Sequence, residues 1–272
     1  MNKTDIEWAD MTWNPVTGCR HECDYCYARR IAERFSTADQ CHTFMGGSPY
    51  IHVLSNGESI EIHELEEPAT IELDKRGKPF PFGFSPTLHE YRLEEPQHRK
   101  KPKTIFVCSM ADLFGAWVPD KWIEKVFKAC KEAPQHRYLF LTKNPVRYLE
   151  LDKAALLPHA DNFWYGSTVA DTNAKAMYVN PNAANKLKAF WSMEPLLERV
   201  NVSKCLGIVN WIILGAMTGP GSAQRQPKRE WIEEIVKAAD GASIPVFMKD
   251  SLIPIIGEEN MRRDFPWGAA ND

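Results

Sequence analysis

The chain has 272 residues, of which 44% are hydrophobic and 25% charged, an ordinary balance for a globular protein that can bury a core without disulfides. Its net charge of −3 excludes an overall basic field of the kind that draws proteins to nucleic acids or membranes. The N-terminus is polar and the longest apolar run, 211–217, is too short to span a bilayer, so we expect a cytoplasmic protein with no membrane partner.

Short apolar strands alternate with helices along most of the chain. A short strand is predicted before Cys19, and later strands at 104–109, 136–141, 163–169, 188–193, 211–214 and 244–249. Apolar residues at helical spacing after Pro119 and from about 228 to 239 predict helices between them. Continuous apolar strands separated by helices are typical of parallel strands buried on both faces. The sequence therefore predicts an α/β protein with a partial or complete (βα) barrel.

Residues 36–102 break this alternation. They are rich in proline, glycine, histidine and charge, and they contain a predicted hairpin around Asn56-Gly57 and a further strand at 69–77. We interpret 36–102 as a small β-rich insertion, a lid over the site, and residues 1–35 and 103–272 as the barrel. A loop of this length inside a compact domain is usually functional.

Three cysteines, Cys19, Cys23 and Cys26, lie close together with three and then two residues between them. Thiolates at this spacing can converge on one metal centre, and three of them leave one iron of a 4Fe–4S cubane open to a ligand. Packing as buried hydrophobes fits poorly, because charged residues surround them. A zinc site completed by His21 or a distant residue stays open as an alternative, although no second cysteine or histidine pair with zinc spacing is present.

The remaining cysteines give no second cluster. Cys108, Cys130 and Cys205 are predicted to be packing residues, and Cys41 a loop residue. We therefore predict a single metal centre.

Tyr25, just before the last cysteine of the CxxxCxxC motif, gives the motif the form found in the radical SAM superfamily, which the chain resembles. It is similar in particular to an uncharacterised family of phage-associated three-Cys-motif proteins. The matching segments are 13–19, 23–28, 109–114, 141–143, 193–197 and 215–221. The resemblance implies a barrel, an oxygen-sensitive 4Fe–4S cluster on the three cysteines, and S-adenosyl-L-methionine. It also implies a low-potential electron donor such as flavodoxin or ferredoxin, and a 5′-deoxyadenosyl radical that abstracts hydrogen from an unknown substrate.

Polar residues at successive strand ends are the candidates for binding S-adenosylmethionine, because the carboxyl ends of parallel strands face the active site. Glu194 could accept from the amino group or ribose, Lys143 could pair with the carboxylate, and Gly215 would let the backbone approach the adenosyl group. Structural roles stay open: a helix cap for Asp112 and a salt bridge between Lys143 and Glu194. The full set is Tyr25, Ser109, Asp112, Lys143, Ser167, Thr168, Glu194 and Gly215.

The substrate is not determined by these residues, and none is singled out as catalytic. Basic stretches at 98–103 and 225–229 are either solvated loops or contacts to phosphates, so a nucleotide or nucleic acid is the first choice. A peptide or small metabolite comes next. The alternative of a different class is a zinc- or cluster-bearing nucleic-acid-binding module without catalysis.

Overall fold

The computed structural model describes residues 1–36, 49–53, 59–63, 69–71, 79–80, 82–172, 187–203 and 206–268. The chain divides into two compact units. The first contains Met1–Asp5 and Ala9–Tyr138, and the second contains Ile6–Trp8 and Leu139–Asp272. Among the described helices, none is long and apolar enough to cross a membrane.

In the part of the first unit that the structure describes, short strands are combined with two α-helices. Its helices and strands are β1 (Asn2–Lys3), β2 (Met11–Trp13), β3 (Val16–Thr17), α1 (Tyr27–Phe35), β4 (Pro49–Val53), β5 (Ser59–His63), β6 (Ala69–Ile71), β7 (Thr87–His89), β8 (Thr104–Val107) and α2 (Asp120–Lys131). Strand β2 pairs antiparallel with β1 and parallel with β8. Strand β7 pairs antiparallel with β3 and parallel with β6. Strands β4 and β5 form the predicted antiparallel hairpin, whose turn lies outside the described residues.

Helix α2 is the predicted helix after Pro119. The inward face carries the expected apolar residues, which are Trp122, Ile123, Val126, Phe127 and Cys130. Cys108 and Cys130 are fully buried packing residues, as predicted, and burial raises the pKa of the Cys108 thiol to about 12. Cys41 and Cys205 lie outside the described residues.

The second unit is a parallel α/β layer. Its helices and strands are β9 (Arg137–Thr142), which starts at the end of the first unit, α3 (Val146–Lys153), β10 (Phe163–Thr168), β11 (Lys188–Met193), β12 (Trp211–Leu214), α4 (Arg229–Gly241), β13 (Val246–Met248) and α5 (Ile253–Ile256). Strands β10, β11, β12 and β13 pair in that order and all in parallel. On one face of this layer, Trp191 of β11 and Ile212 and Leu214 of β12 pack against Ile232 and Ile235 of α4. Alternate residues along these strands face the opposite side.

The predicted α/β class is therefore confirmed, with mostly parallel strand pairs. Among the described residues, the pairings within neither unit close into a barrel, so the barrel stays a prediction. The predicted insertion boundaries at 36 and 102 fall inside the first unit, and much of 36–102 lies outside the described residues. The predicted domain division therefore also stays a prediction.

Candidate functional site

The cysteine loop, residues 18–26, is held at its entry by backbone contacts of the first unit. The amide of Gly18 donates to the carbonyl of Met110 at 2.9 Å, and the amide of Cys19 donates to the carbonyl of Phe84 at 3.1 Å. Gly18 has φ +87°, and a Cβ there would lie 2.2 Å from the carbonyl oxygen of Ser85. Only glycine combines this dihedral with so close a backbone, so the residue before the first cysteine is fixed by sterics.

The exit of the loop is capped by a cysteine. Sγ of Cys26 accepts a hydrogen bond from the amide of Arg29 at 3.3 Å, which makes Cys26 the N-cap of α1. The amide of Cys26 donates to the carbonyl of Cys23 at 3.1 Å, closing the turn between the last two cysteines. Sulfur that receives a backbone N–H is typical of the ligands of iron–sulfur clusters. Cys26 is thus both the last cysteine of the motif and the residue that caps the start of α1.

Cys19 lies in apolar surroundings. It packs with Cys26 against a cluster made by Ala28, Ala32, Phe80, Phe84 and Met110. Burial raises the pKa of the Cys19 thiol to about 12, and the charges of Asp112, Cys26 and Cys23 act in the same direction. Cys23 and Cys26 are therefore close enough to influence the ionisation of Cys19, which is protonated near neutral pH.

A histidine–aspartate pair anchors the middle of the loop. His21 Nε2 lies 2.7 Å from Oδ2 of Asp112, and Asp112 Oδ1 accepts from the amide of Phe114 at 3.0 Å. The edge of the His21 ring also meets Trp117, with the ring centroids 4.8 Å apart. Asp112 is buried and anchors both the loop and its own turn. It does not cap a helix, the structural role left open for it, because the next helix, α2, begins at Asp120 with Pro119 as its N-cap. A zinc ligand on His21 would have to use Nδ1.

Sequence reasoning missed Asn14, which ties the strand end at Ser109 to the start of the chain. Its Oδ1 accepts from Ser109 Oγ at 3.2 Å and from the amide of Met110 at 3.0 Å. The hydroxyl of Tyr27 donates to the carbonyl of Ser109 at 2.8 Å. Tyr25 is half-buried in the same loop. The signal that could have found Asn14 is its place within the matching segment 13–19, directly after the buried strand β2 ends.

The donor chemistry of the loop suits a cluster, but its geometry is not that of a bound metal. None of the three cysteines is in a disulfide, and all three are half-buried. In the part of the chain that the structure describes, no group of three or more histidine, cysteine, aspartate or glutamate side chains is arranged to hold a metal ion. The Cys23 thiol instead points to the carbonyl of His21 at 3.9 Å.

The strand-end site, formed by Trp8, Glu194, Gly215 and Lys249, lies in the second unit. Glu194, Gly215 and Lys249 come directly after β11, β12 and β13. Trp8 Nε1 donates to Glu194 Oε1 at 3.3 Å, and Lys249 Nζ lies 3.7 Å from Glu194 Oε2. A Cβ on Gly215 would lie 3.1 Å from Glu194 Cγ and 3.2 Å from Lys249 Cδ. The missing side chain at Gly215 is what lets the other two meet.

Burial dominates the electrostatics of Glu194. The side chain is 18% exposed, and its desolvation raises the pKa of the carboxyl above the ordinary value, aided by the charge of Glu7. Lys249 and the indole N–H of Trp8 act in the opposite direction and only partly offset this. A carboxyl with a raised pKa can carry a proton closer to neutral pH, a property that is common among acid–base groups in active sites.

Two neighbouring hydroxyls share the face of Glu194. Thr168 of β10 is in register with Ser192 of β11, and strand alternation puts Ser192 and Glu194 on the same face. Ser192 Oγ is buried and has no hydrogen-bond partner among the described residues. Ser167 is in register with the core residue Trp191 and so lies on the opposite face from Thr168.

The predicted site residues thus fall into two sets. The structure brings Tyr25, Ser109 and Asp112 together with the cysteine loop in the first unit. It brings Thr168, Glu194 and Gly215 to the strand ends of the second unit, with Lys143 half-buried at the end of β9 and Ser167 turned to the other face. Trp8 and the pairing of Lys249 with Glu194 were missed, because both are contacts between residues far apart in sequence.

A family model matches most of the chain. The model of a family described as "Protein of unknown function (DUF5131)" matches residues 3–252. Neither a curated protein nor a solved structure matches the chain.

Proposed function

We propose that this chain, which belongs to the DUF5131 family, is a radical S-adenosylmethionine enzyme that binds a 4Fe–4S cluster through Cys19, Cys23 and Cys26. The observation that carries the proposal is the cysteine loop itself. Three cysteines, none of them in a disulfide, lie in one short loop, and each is half-buried. The loop is anchored at its entry and exit by backbone contacts and in its middle by the His21–Asp112 pair. Anchored, partly accessible thiols suit a resident cofactor better than packing.

The chemistry that the cofactors supply, when bound, is one-electron cleavage of S-adenosylmethionine to a 5′-deoxyadenosyl radical. The protein's part is to hold the cysteines and to exclude water. Ala28, Ala32 and Phe84 surround Cys19 and Cys26 with apolar surface, which lowers solvent access at the sulfurs. The amide of Arg29 provides a hydrogen bond to Cys26.

Ligation requires changes at two of the thiols. Cys19, whose pKa burial raises to about 12, must release its proton, because only the thiolate binds metal. Cys23 must give up its contact to the carbonyl of His21, because a thiolate has no hydrogen to donate. We infer that loading of the loop is slower at acidic pH and is accompanied by release of protons.

The strand ends of the second unit supply the polar contacts for S-adenosylmethionine in this proposal. Glu194 is suited to an amino or hydroxyl group, and Thr168 can donate or accept on the same face. Lys143, Ser167 and Gly215 complete the predicted set. The fold proposed is the (βα) barrel of this superfamily, formed by residues 1–35 and 103–272, with 36–102 as its lid. An oxygen-sensitive cluster suits a reducing, cytoplasmic setting.

Anaerobic reconstitution with iron and sulfide tests the proposal. The wild-type chain should bind about four irons, as a cubane requires, and release 5′-deoxyadenosine with dithionite. Cys23→Ala should lose both. Cys130→Ala is the matched control, since Cys130 is a buried packing residue on α2; it should keep the iron and lose only stability. A chain that holds one zinc tightly and forms no deoxyadenosine would contradict the proposal and favour the zinc-bearing module.

The substrate class is tested separately, with a nucleotide or nucleic acid first. Formation of 5′-deoxyadenosine should be faster in the presence of the right substrate, because the radical becomes 5′-deoxyadenosine when it abstracts hydrogen from that substrate. Single-stranded DNA, RNA and nucleotides are compared with a peptide mixture under the same reducing conditions. Equal turnover with and without every nucleic-acid probe would reject this substrate class without touching the cluster assignment.

A further inference from the structure

Helix α1 carries its large apolar residues on the solvent side. Tyr27, Ile31 and Phe35 are 46%, 39% and 51% exposed, whereas the buried residues of the helix are Ala28, Ala32 and Glu33. Residues four apart on a helix are neighbours, so the three large side chains form one stripe. Large apolar residues that are exposed next to one another on a soluble protein mark an interaction surface.

Two arginines flank this stripe. Arg30 and Arg34 are exposed, and each follows a member of the stripe by three residues, which makes them neighbours on the helix surface. The guanidinium of Arg34 lies 5.5 Å from the centroid of the Phe35 ring. We call Tyr27, Arg30, Ile31, Arg34 and Phe35 the α1 face. Tyrosine, phenylalanine and arginine are the residue types enriched in protein–protein interfaces.

The α1 face is local in both charge and position. The chain as a whole has a net charge of −3, so the positive charge of the α1 face differs in sign from the charge of the whole chain. Helix α1 begins directly after Cys26 and has nine residues, which at the helical rise is a length of about 13 Å. Every residue of the α1 face therefore lies within one short helix length, about 13 Å, of Cys26 along the helix axis.

We propose that the α1 face docks an acidic one-electron donor protein, with a flavin or an iron–sulfur centre. The inference rests on the proposed function, because reductive cleavage of S-adenosylmethionine needs an electron from outside the chain. Arg30 and Arg34 provide the charge complementary to an acidic partner, and the apolar stripe provides the desolvated centre of the contact. Redox complexes are transient and bury little surface, which suits a face limited to one short helix.

Direct binding is the first test. Purified flavodoxin and ferredoxin are titrated into the reconstituted chain at low and high salt. Ile31→Glu with Phe35→Glu should weaken binding of the recognised donor about tenfold or more, because the central apolar contact is replaced by charge. Arg30→Glu with Arg34→Glu should weaken it mainly at low salt, where charge attraction is least screened. Val146→Glu on α3, at another exposed apolar position, and Lys128→Glu on α2 are the controls and should bind normally.

Turnover then separates this inference from the proposed function. With dithionite, the α1-face variants should release deoxyadenosine at the wild-type rate, since none of their changes touches the cysteine loop or the strand-end site. With flavodoxin or ferredoxin as the donor, the same variants should be slowed about as much as their binding is weakened. If neither the wild type nor the variants form product with either reductant but the α1 face still governs donor binding, the enzyme proposal fails and the docking surface stands.

Three outcomes overturn the docking surface. One is donor binding that is absent, or equal in wild type and α1-face variants. Another is a wild-type dimer that Ile31→Glu with Phe35→Glu converts to monomer in sedimentation, with donor-driven turnover unchanged; the face would then bind a second copy. The last is loss of binding to a single-stranded oligonucleotide in the arginine variants while donor binding persists, which would assign the face to nucleic acid.

Discussion

The cysteine loop and the strand-end site hold their chemical groups in opposite ways. In the loop, backbone contacts at Gly18, Cys19 and Cys26 fix the chain. The charge of Asp112 acts on Cys19 and raises the pKa of its thiol further. At the strand ends the side chains compensate one another, because Glu194 is met by Trp8 and Lys249. In the loop it is thus the backbone that is fixed, while the three cysteine side chains remain half-buried. At the strand ends, a ligand that binds Glu194 would have to replace the contacts that Glu194 makes with Trp8 and Lys249.

The largest effect on the cysteine loop is expected when one methyl group is added to its backbone. In Gly18→Ala, the new Cβ meets the backbone oxygen of Ser85 at 2.2 Å at a positive φ, and backbone cannot rotate away. We expect a loss of about 2–4 kcal/mol in unfolding free energy, together with loss of iron binding. Urea unfolding and iron analysis measure the two effects.

Gly221→Ala is the matched control for Gly18→Ala. Gly221 has a similar φ of +76° but nothing within 4 Å of an added Cβ, so it isolates the cost of the dihedral alone. That cost should be about 1 kcal/mol. Equal losses in the two variants would mean that the contact with Ser85 does not fix the loop.

Acid should lower the free energy of unfolding through His89, which lies at the entry of the cysteine loop. His89 is fully buried beside Thr17, the residue before Gly18, with 2.9 Å between Nε2 and Thr17 Oγ1. Burial lowers the pKa of His89 from 6.5 to about 3, helped by Arg92. The unfolded chain therefore binds more protons in this window. Stability is fully present above pH 6.5 and falls toward pH 3, by at most about 1.4 kcal/mol per pH unit for this group.

Unfolding free energies of the wild type and of His89→Gln across this pH range check the acid prediction. The variant should be less stable at neutral pH, because it loses packing, but its stability should fall less steeply with acid. His98→Gln, at an exposed position, controls for the loss of one imidazole and should keep the wild-type slope. Parallel curves for wild type and His89→Gln would contradict the assignment.

The strand-end site should respond to pH with the opposite sign. Burial raises the pKa of Glu194, so the folded chain holds this proton more firmly than the unfolded chain does. Its contribution is greatest at low pH and is lost as pH rises from 4.5 through the raised value. Glu194→Gln mimics the protonated form. The melting temperature of Glu194→Gln relative to wild type should therefore increase with pH, and a constant difference would reject the raised pKa.

The smallest effect is expected at the second glycine. In Gly215→Ala the added Cβ meets Glu194 Cγ at 3.1 Å and Lys249 Cδ at 3.2 Å, which belong to flexible side chains. They can shift by a few tenths of an ångström, so we expect a loss of about 1 kcal/mol or less. Gly207→Ala, with nothing within 4 Å, is the control. A loss as large as that of Gly18→Ala would show that the two regions are equally rigid.

Much of the secondary structure is predictable from the sequence, and the exceptions have local causes. Strands β11 and β12 match the predicted 188–193 and 211–214 because clear apolar runs end at polar or glycine residues. Strand β8 ends at Val107 rather than at 109 because Cys108 takes a positive φ of 60°. Strand β13 begins at Val246 rather than at 244 because Pro245 has no N–H to pair.

The candidate site is predictable only where its residues are neighbours in sequence. The cysteine loop is visible as a motif, and so is the position of α1 after it. The contact between Trp8 and Glu194 joins residues 186 apart, and the contact between Asn14 and Ser109 joins residues 95 apart. Such pairs depend on the path of the folded chain, which spacing and periodicity in one sequence do not encode.

The assignment of Ile6–Trp8 to the second unit has a consequence for genetics and protein engineering. The residues on both sides of this segment belong to the first unit, so no single cut in the gene separates the two units. A fragment that starts at residue 139 would lack Trp8 and leave Glu194 without its indole donor. To exchange the second unit between relatives, residues 6–8 would have to be exchanged together with the residues from 139 onward.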